Sequence, residues 1–229
     1  MADKDISMDI KMGSVSFPGM KDLFEGRKID EAQIEPLCRF VDERYDCCDF
    51  RAVVLLKAVC AFSDLLSEAT LDRIKKSLLG FKYWIDESGE DSICYWSENH
   101  QLLFHTCEYI AGSLYPEDVF SNNGMTGRRH AEKAHPKILR WLEHRWKYGF
   151  IEWHSNTYYE EDIAPLALLM DHAPDEEIRK KAVTITNLLL LDMAMFSFEG
   201  YFSTTSGRCY EKQKKDGNRQ DTLNIYRHA

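Results

Sequence analysis

The chain has 229 residues, of which 44% are hydrophobic and 12% aromatic, and it carries a formal net charge of −9. That composition supports a substantial core and excludes a general nucleic-acid binder, which needs a basic footprint. No run reaches the roughly 18 apolar residues of a membrane-spanning helix.

Residues 1–27 are polar and glycine-containing and read as a loose arm. Helical patterns then dominate 28–200. Ile29, Ile34, Leu37, Phe40 and Val41 recur at helical spacing, with Pro36 limiting where the first turn starts. "DFRAVVLLKAVCAFSDLLSE" is apolar nearly all round, with Asp49 as a plausible N-cap, and should be buried. A third helix is expected from a Thr70 cap, with Leu71, Ile74, Leu78, Phe81 and Ile85 on one stripe. A fourth runs from about Glu98 to Tyr115 and stops at Pro116. "RRHAEKAHPKILRWLEHRWKY" is ended by Gly149. A closing antiparallel pair follows, with Pro174-Asp175 as turn and cap. Residues 201–229 lose the pattern and read as an irregular or β-like tail, the possible start of a missing region. Paired helices of this kind predict an all-α fold of antiparallel hairpins, forming an incomplete (α/α) toroid. An incomplete ring exposes apolar faces, which favours a homo-oligomer.

The first twenty residues hold no apolar run of leader length, and the seven cysteines form no CxxC pair. The chain therefore reads as cytoplasmic and reduced, with an extracytoplasmic location open if the sequence is truncated.

Two polar clusters precede apolar helices. In "YWSENHQLLF", Ser97 is a cap candidate that places Glu98, Asn99 and His100 in a first turn, next to the aromatic Trp96. A helix N-terminus offers free N–H groups and a positive dipole end. In "GFIEWHSNTYYEEDIAPLALL", Glu152, His154, Tyr158 and Tyr159 crowd one loop with Trp153, whose ring can stack on a sugar face. Both clusters have an ordinary reading as well, as capped helices with exposed or rim-packing polar groups and Asp162 as the second cap. His100 and His105 are five apart, as are His130 and His135, so neither pair shares a helix face as metal ligands would. No calcium loop, P-loop or dinucleotide turn occurs. Neither metal nor cofactor is expected.

An Asn-His pair opening one helix, followed by an E-x-x-S-x-x-Y segment opening another, resembles the heparinase II/III-like and alginate-lyase-like polysaccharide lyases. The matching pieces are "SENHQ", with Asn99 and His100, and "EWHSNTY", with Glu152, Ser155 and Tyr158. His100 and Tyr158 stand 58 residues apart, close to the spacing in those lyases. The resemblance covers roughly residues 50 to 200. It departs at Tyr159, where the family usually has His, and this leaves open which tyrosine carries the role.

The resemblance implies β-elimination on a uronic-acid-containing glycan, an acidic oligo- or polysaccharide. Asn99 would neutralise the substrate carboxylate, His100 or Tyr158 would take the C5 proton, and Tyr158 would protonate the leaving oxygen. A tyrosine base needs nearby positive charge; Arg208 in "SGRCYEK" is the candidate, ahead of Arg128 and Arg129, with a surface salt bridge as its other reading. Trp96, Glu98, Glu152, Trp153, Tyr159 and Arg208 would contact substrate. Two further readings stand beside this one. One is a six-hairpin glycoside hydrolase using Glu98, Glu152 or Asp162 as paired carboxylates. The other is a non-catalytic α-hairpin scaffold.

Overall fold

A computed structural model describes residues 17–223 and 225. The described residues are mostly helical, and their only sheet has two strands. Contacts divide the chain into two units, one formed by the described residues up to Trp96 with Cys107–Lys133, the other by Ser97–Thr106 with the residues from Ala134 onward. The second unit includes the tail.

Of the expected arm, residues 1–16 lie outside the described residues. Residues 17–27 contain helix α1 (Gly19–Phe24), which buries Leu23 and packs the Phe24 ring edge-on against Phe62, centroids 4.9 Å apart. Leu23 is a core residue, so this part of the segment is anchored.

In the first unit, α2 (Ile34–Asp42) buries Ile34, Leu37, Cys38, Phe40 and Val41 on one face. Pro36 sits in its first turn, where no intrahelical N–H is required. Helix α3 (Cys48–Phe62) is buried nearly all round, as its sequence predicts. It starts at Cys47 in a left-handed conformation (φ 66°), so Asp49 lies inside the first turn and is no cap. Helix α4 (Glu68–Gly80) begins one turn before expectation, because Ser67 Oγ accepts from Thr70 N–H at 3.3 Å. It ends at Gly80, and Phe81 is extended; Ile85, expected on the α4 stripe, is exposed. Arg73 ties α4 to α2 through Glu35 (2.7 Å) and Asp42 (2.8 Å).

Helices α5 (Glu98–Leu114) and α6 (Gly127–Tyr148) follow. Their backbones meet within the first unit at two glycines. A Cβ on Gly112 would stand 2.5 Å from Gly127 O and 2.7 Å from Ala131 N, and one on Gly127 would run into Tyr115 O. Only glycine permits that approach. Gly149, with φ 72°, closes α6 as predicted.

In the second unit, α7 (Tyr159–His172) and α8 (Glu176–Met195) pack as a hairpin joined by residues 173–175. The tail continues as β1 (Ser197–Phe198) and β2 (Tyr201–Phe202), paired Ser197 to Phe202 and Phe198 to Tyr201. The two linking residues, Glu199 and Gly200, both have positive φ (49° and 83°), as a tight hairpin of the I′ kind requires. Helix α9 (Glu211–Lys215) and a 3₁₀ turn complete it. The Gln220 amide both donates to Phe202 O and accepts from Phe202 N, each at 3.1 Å, so it stands in for a strand partner. Phe202, Gln213, Gln220 and Thr222 are buried, so the tail, expected as irregular or β-like, is packed into this unit.

Asp175 caps α8 by accepting from Glu177 N–H (2.7 Å) and Ile178 N–H (3.4 Å), and it also pairs with His135 Nε2 at 2.7 Å. The His135 hydrogen bond, with the two N–H donors behind it, holds the Asp175 carboxyl below its ordinary value. A depressed folded-state value stabilises above the unfolded pKa of about 3.9 and is lost as pH falls through the folded value. Asp175→Ala is expected to cost about 1 kcal/mol near neutral pH. In urea titrations the gap between wild type and variant should hold above about pH 5 and shrink below about pH 4.

Candidate functional site

The site of the second unit grows from a turn and a loop that meet. Residues 152–155 form a tight turn in which Ser155 N–H donates to Glu152 O at 3.1 Å and His154 takes a left-handed φ of 46°. His154 is fixed by Trp153 stacked on one side (4.0 Å) and Phe196 against it (4.3 Å). Against this turn runs "SGRCY" of the tail. Gly207 N–H donates to Trp153 O at 2.8 Å, and a Cβ there would lie 3.2 Å from Trp153 Cβ. The next residue is Arg208. Its carbonyl accepts from Ser155 Oγ at 2.7 Å, and its Nη1 donates to Glu152 Oε1 at 2.6 Å. Its guanidinium carbon lies 4.0 Å from the Tyr158 ring centroid. The Tyr158 hydroxyl in turn meets the Tyr210 hydroxyl at 2.5 Å. Glu152, Ser155, Tyr158 and Arg208 are therefore one connected group.

Behind it lie buried acids. Glu98, at the start of α5, gives Oε2 to Arg145 Nη1 and to Ile151 N–H (2.8 Å), while its carbonyl accepts from Trp141 Nε1 (2.9 Å). Glu98, Glu152 and Asp162 each place a carboxylate oxygen within 4.8 Å of the others. Burial raises the Glu152 carboxyl above its usual range, against the lowering effect of Arg208. Burial pushes Asp162 much further up, and the neighbouring Glu152 adds to it. Burial also lowers the Arg145 guanidinium, with Asp162 opposing.

Of the residues expected at a site, Glu98, Glu152, Tyr158 and Arg208 join this network. His100 is buried and its charge acts on Glu152, so it belongs near the same group. Asn99 is 1% exposed, with Oδ1 accepting from Ser97 Oγ at 2.5 Å and Nδ2 without a hydrogen-bond partner among the described residues. Trp153 is half-exposed and stacks on His154. Trp96 is exposed and falls in the first unit. Tyr159 requires correction as a substrate contact. It is fully buried between Phe150 and Phe202, and its hydroxyl accepts from His154 N–H at 2.9 Å. Of the two tyrosines, Tyr158 is the accessible one. Its hydroxyl is not activated as a base, because burial and the Tyr210 hydrogen bond raise it above the ordinary tyrosine value despite Arg208.

Asp162, read as a cap, is the fourth residue of α7 and wholly buried. Arg145 and Tyr210 went unnoticed in the sequence. The signal for the first two was an ionisable residue on an apolar stripe: Asp162 precedes the buried Leu166 and Leu169 by four and seven, and Arg145 follows the buried Ile138 and Trp141 by seven and four.

A second ionisable cluster lies in the first unit, also unread in the sequence because its members come from separate segments. His130 Nδ1 meets Glu108 Oε1 at 2.8 Å and its Nε2 meets Asn123 Oδ1 at 3.2 Å, with Glu87 nearby. Lys133 supplies an ammonium to Glu87 (3.2 Å) and Glu108 (3.4 Å).

No family model, curated protein or solved structure matches this chain. Among the described residues, no helix is long and apolar enough to cross a membrane.

Arg145 is the cation paired with Glu98 inside the unit. Arg145→Met is expected to destabilise the protein by about 3 kcal/mol, since it strands a buried carboxylate. Equilibrium urea unfolding of the full chain measures the loss.

Proposed function

We propose that this chain is a polysaccharide-lyase-like protein that cleaves a uronic-acid-containing glycan by β-elimination at the Arg208–Tyr158 face of the second unit, with its hairpins belonging to an (α/α) toroid. The observation that carries the reading is Arg208, half-exposed, ion-paired to Glu152 on one side and lying over the Tyr158 ring on the other. Arg208, half-exposed beside the Tyr158 ring, is the group placed to meet the substrate carboxylate, and that charge neutralisation is what makes the C5 proton removable. In the step, His100 takes the C5 proton, the C4–O bond breaks, the electron pair forms the C4–C5 double bond, and Tyr158 gives its proton to the departing oxygen. A phenol held above its ordinary value is protonated at neutral pH and so carries the proton this step uses. Glu152 positions Arg208.

The hydrolase reading fits less well. Paired carboxyls stand about 5–5.5 Å apart in retaining enzymes and about 6.5–9.5 Å in inverting ones. Here Glu98, Glu152 and Asp162 are all buried, with Asp162 wholly enclosed, so they are not presented to a sugar.

Incubation of the full chain with a panel of polyuronic acids and glycosaminoglycans should yield product with the ultraviolet absorbance of a C4–C5 double bond. Tyr158→Phe should lower that rate at least about 100-fold. No absorbing product from the wild type, or an unchanged rate in Tyr158→Phe, contradicts the proposal and leaves the binding-scaffold reading.

A further inference from the structure

The buried acids of the second unit offer more carboxylate oxygens than the described residues partner. Glu98 and Glu152 each give one oxygen to a guanidinium, from Arg145 and Arg208 respectively. Their other oxygens, Glu98 Oε1 and Glu152 Oε2, have no hydrogen-bond partner among the described residues. Asp162 differs in kind. It is 0% exposed, neither of its oxygens has a partner among the described residues, and one lies within 4.8 Å of an oxygen of each glutamate. An unpartnered carboxyl sealed on the inner face of α7 and aimed between two ion-paired glutamates is a feature that packing alone does not produce, because an unsatisfied buried polar group is costly.

We infer that Glu98, Glu152 and Asp162 form a binding site for a hard divalent cation, of which Ca²⁺ is the best fit. Glu98 and Glu152 are each ion-paired and Asp162 is not; a dication that displaces the Asp162 proton gives that carboxylate a partner. The donors are oxygen only, which selects Ca²⁺, Mg²⁺ or Mn²⁺ over the metals that prefer imidazole or thiolate. Ca²⁺ takes about six to eight oxygens in flexible geometry, whereas Mg²⁺ demands a near-ideal octahedron and gives up its waters reluctantly, so a cluster of carboxylates fits Ca²⁺ better. Three carboxylates leave further Ca²⁺ positions for main-chain carbonyls or water. The site does not depend on the glycan-cleaving reading, although Glu152 borders both.

The full chain, stripped with EDTA and dialysed, is to be titrated with Tb³⁺, a Ca²⁺ mimic whose emission is sensitised by a nearby indole. Trp141 serves, because its Nε1 bonds the Glu98 carbonyl at 2.9 Å. The expected result is saturable emission excited through tryptophan, displaced by Ca²⁺, together with a rise in Tm when Ca²⁺ replaces EDTA. The near-isosteric Asp162→Asn should weaken Ca²⁺ competition by about tenfold or more. Absence of saturable emission and of any Ca²⁺ effect on Tm overturns the inference and assigns the cluster to shared protons. Retention of wild-type affinity by Asp162→Asn also overturns it. Should that variant fail to fold by circular dichroism, equilibrium dialysis of the wild type with Ca²⁺ decides: one ion held per chain supports the site, and none overturns it. No turnover enters these readouts, so a failure of glycan cleavage and a failure of cation binding are separate results.

Discussion

The second unit is organised by the need to keep charge out of water without leaving it alone. Desolvating a carboxylate costs several kcal/mol unless a cation and hydrogen bonds meet it, and here Glu98, Glu152 and Asp162 are gathered within 4.8 Å. Arg145 on α6 answers Glu98 from within the helical part, while Arg208 answers Glu152 from the tail. The tail is held to the Glu152–Ser155 turn by that ion pair, by Ser155 Oγ on the Arg208 carbonyl and by the Gly207 N–H on Trp153. The same contacts lay the guanidinium over Tyr158, so the constraint that fixes the fold locally also assembles the one partly accessible phenol–guanidinium pair on which the functional reading rests.

The first unit meets a similar demand with its own means. Glu87 and Glu108 share Lys133, and His130 bridges Glu108 to Asn123 while stacking on Phe120 at 4.3 Å. An ammonium from the chain reaches both carboxylates of that cluster. In the second unit, neither oxygen of Asp162 has a hydrogen-bond partner among the described residues.

Local signals in the sequence were legible because local chemistry decides them. Asp175 caps α8, Gly149 ends α6 and the apolar run of α3 is buried, all from residues within one turn of the feature. Where two local solutions competed, the neighbouring fold chose: Ser67 displaced Thr70 as the cap of α4, and a left-handed Cys47 displaced Asp49. The tail was opaque, since its order comes from distant partners such as the Gln220 amide on Phe202 and Arg208 on Glu152. For the site, the two polar segments were recognisable by composition, and Glu98, Glu152, Tyr158 and Arg208 do meet. Spacing could not tell Tyr158 from Tyr159; burial of the latter in an aromatic cluster does.

If the tail is part of the site because Glu152 and Arg208 hold each other, their energies must be coupled. A double-mutant cycle with Glu152→Gln, Arg208→Met and the pair, followed by urea unfolding of the full chain, measures that coupling. The account predicts an interaction of about 1 kcal/mol or more, whereas additivity within about 0.3 kcal/mol would contradict it.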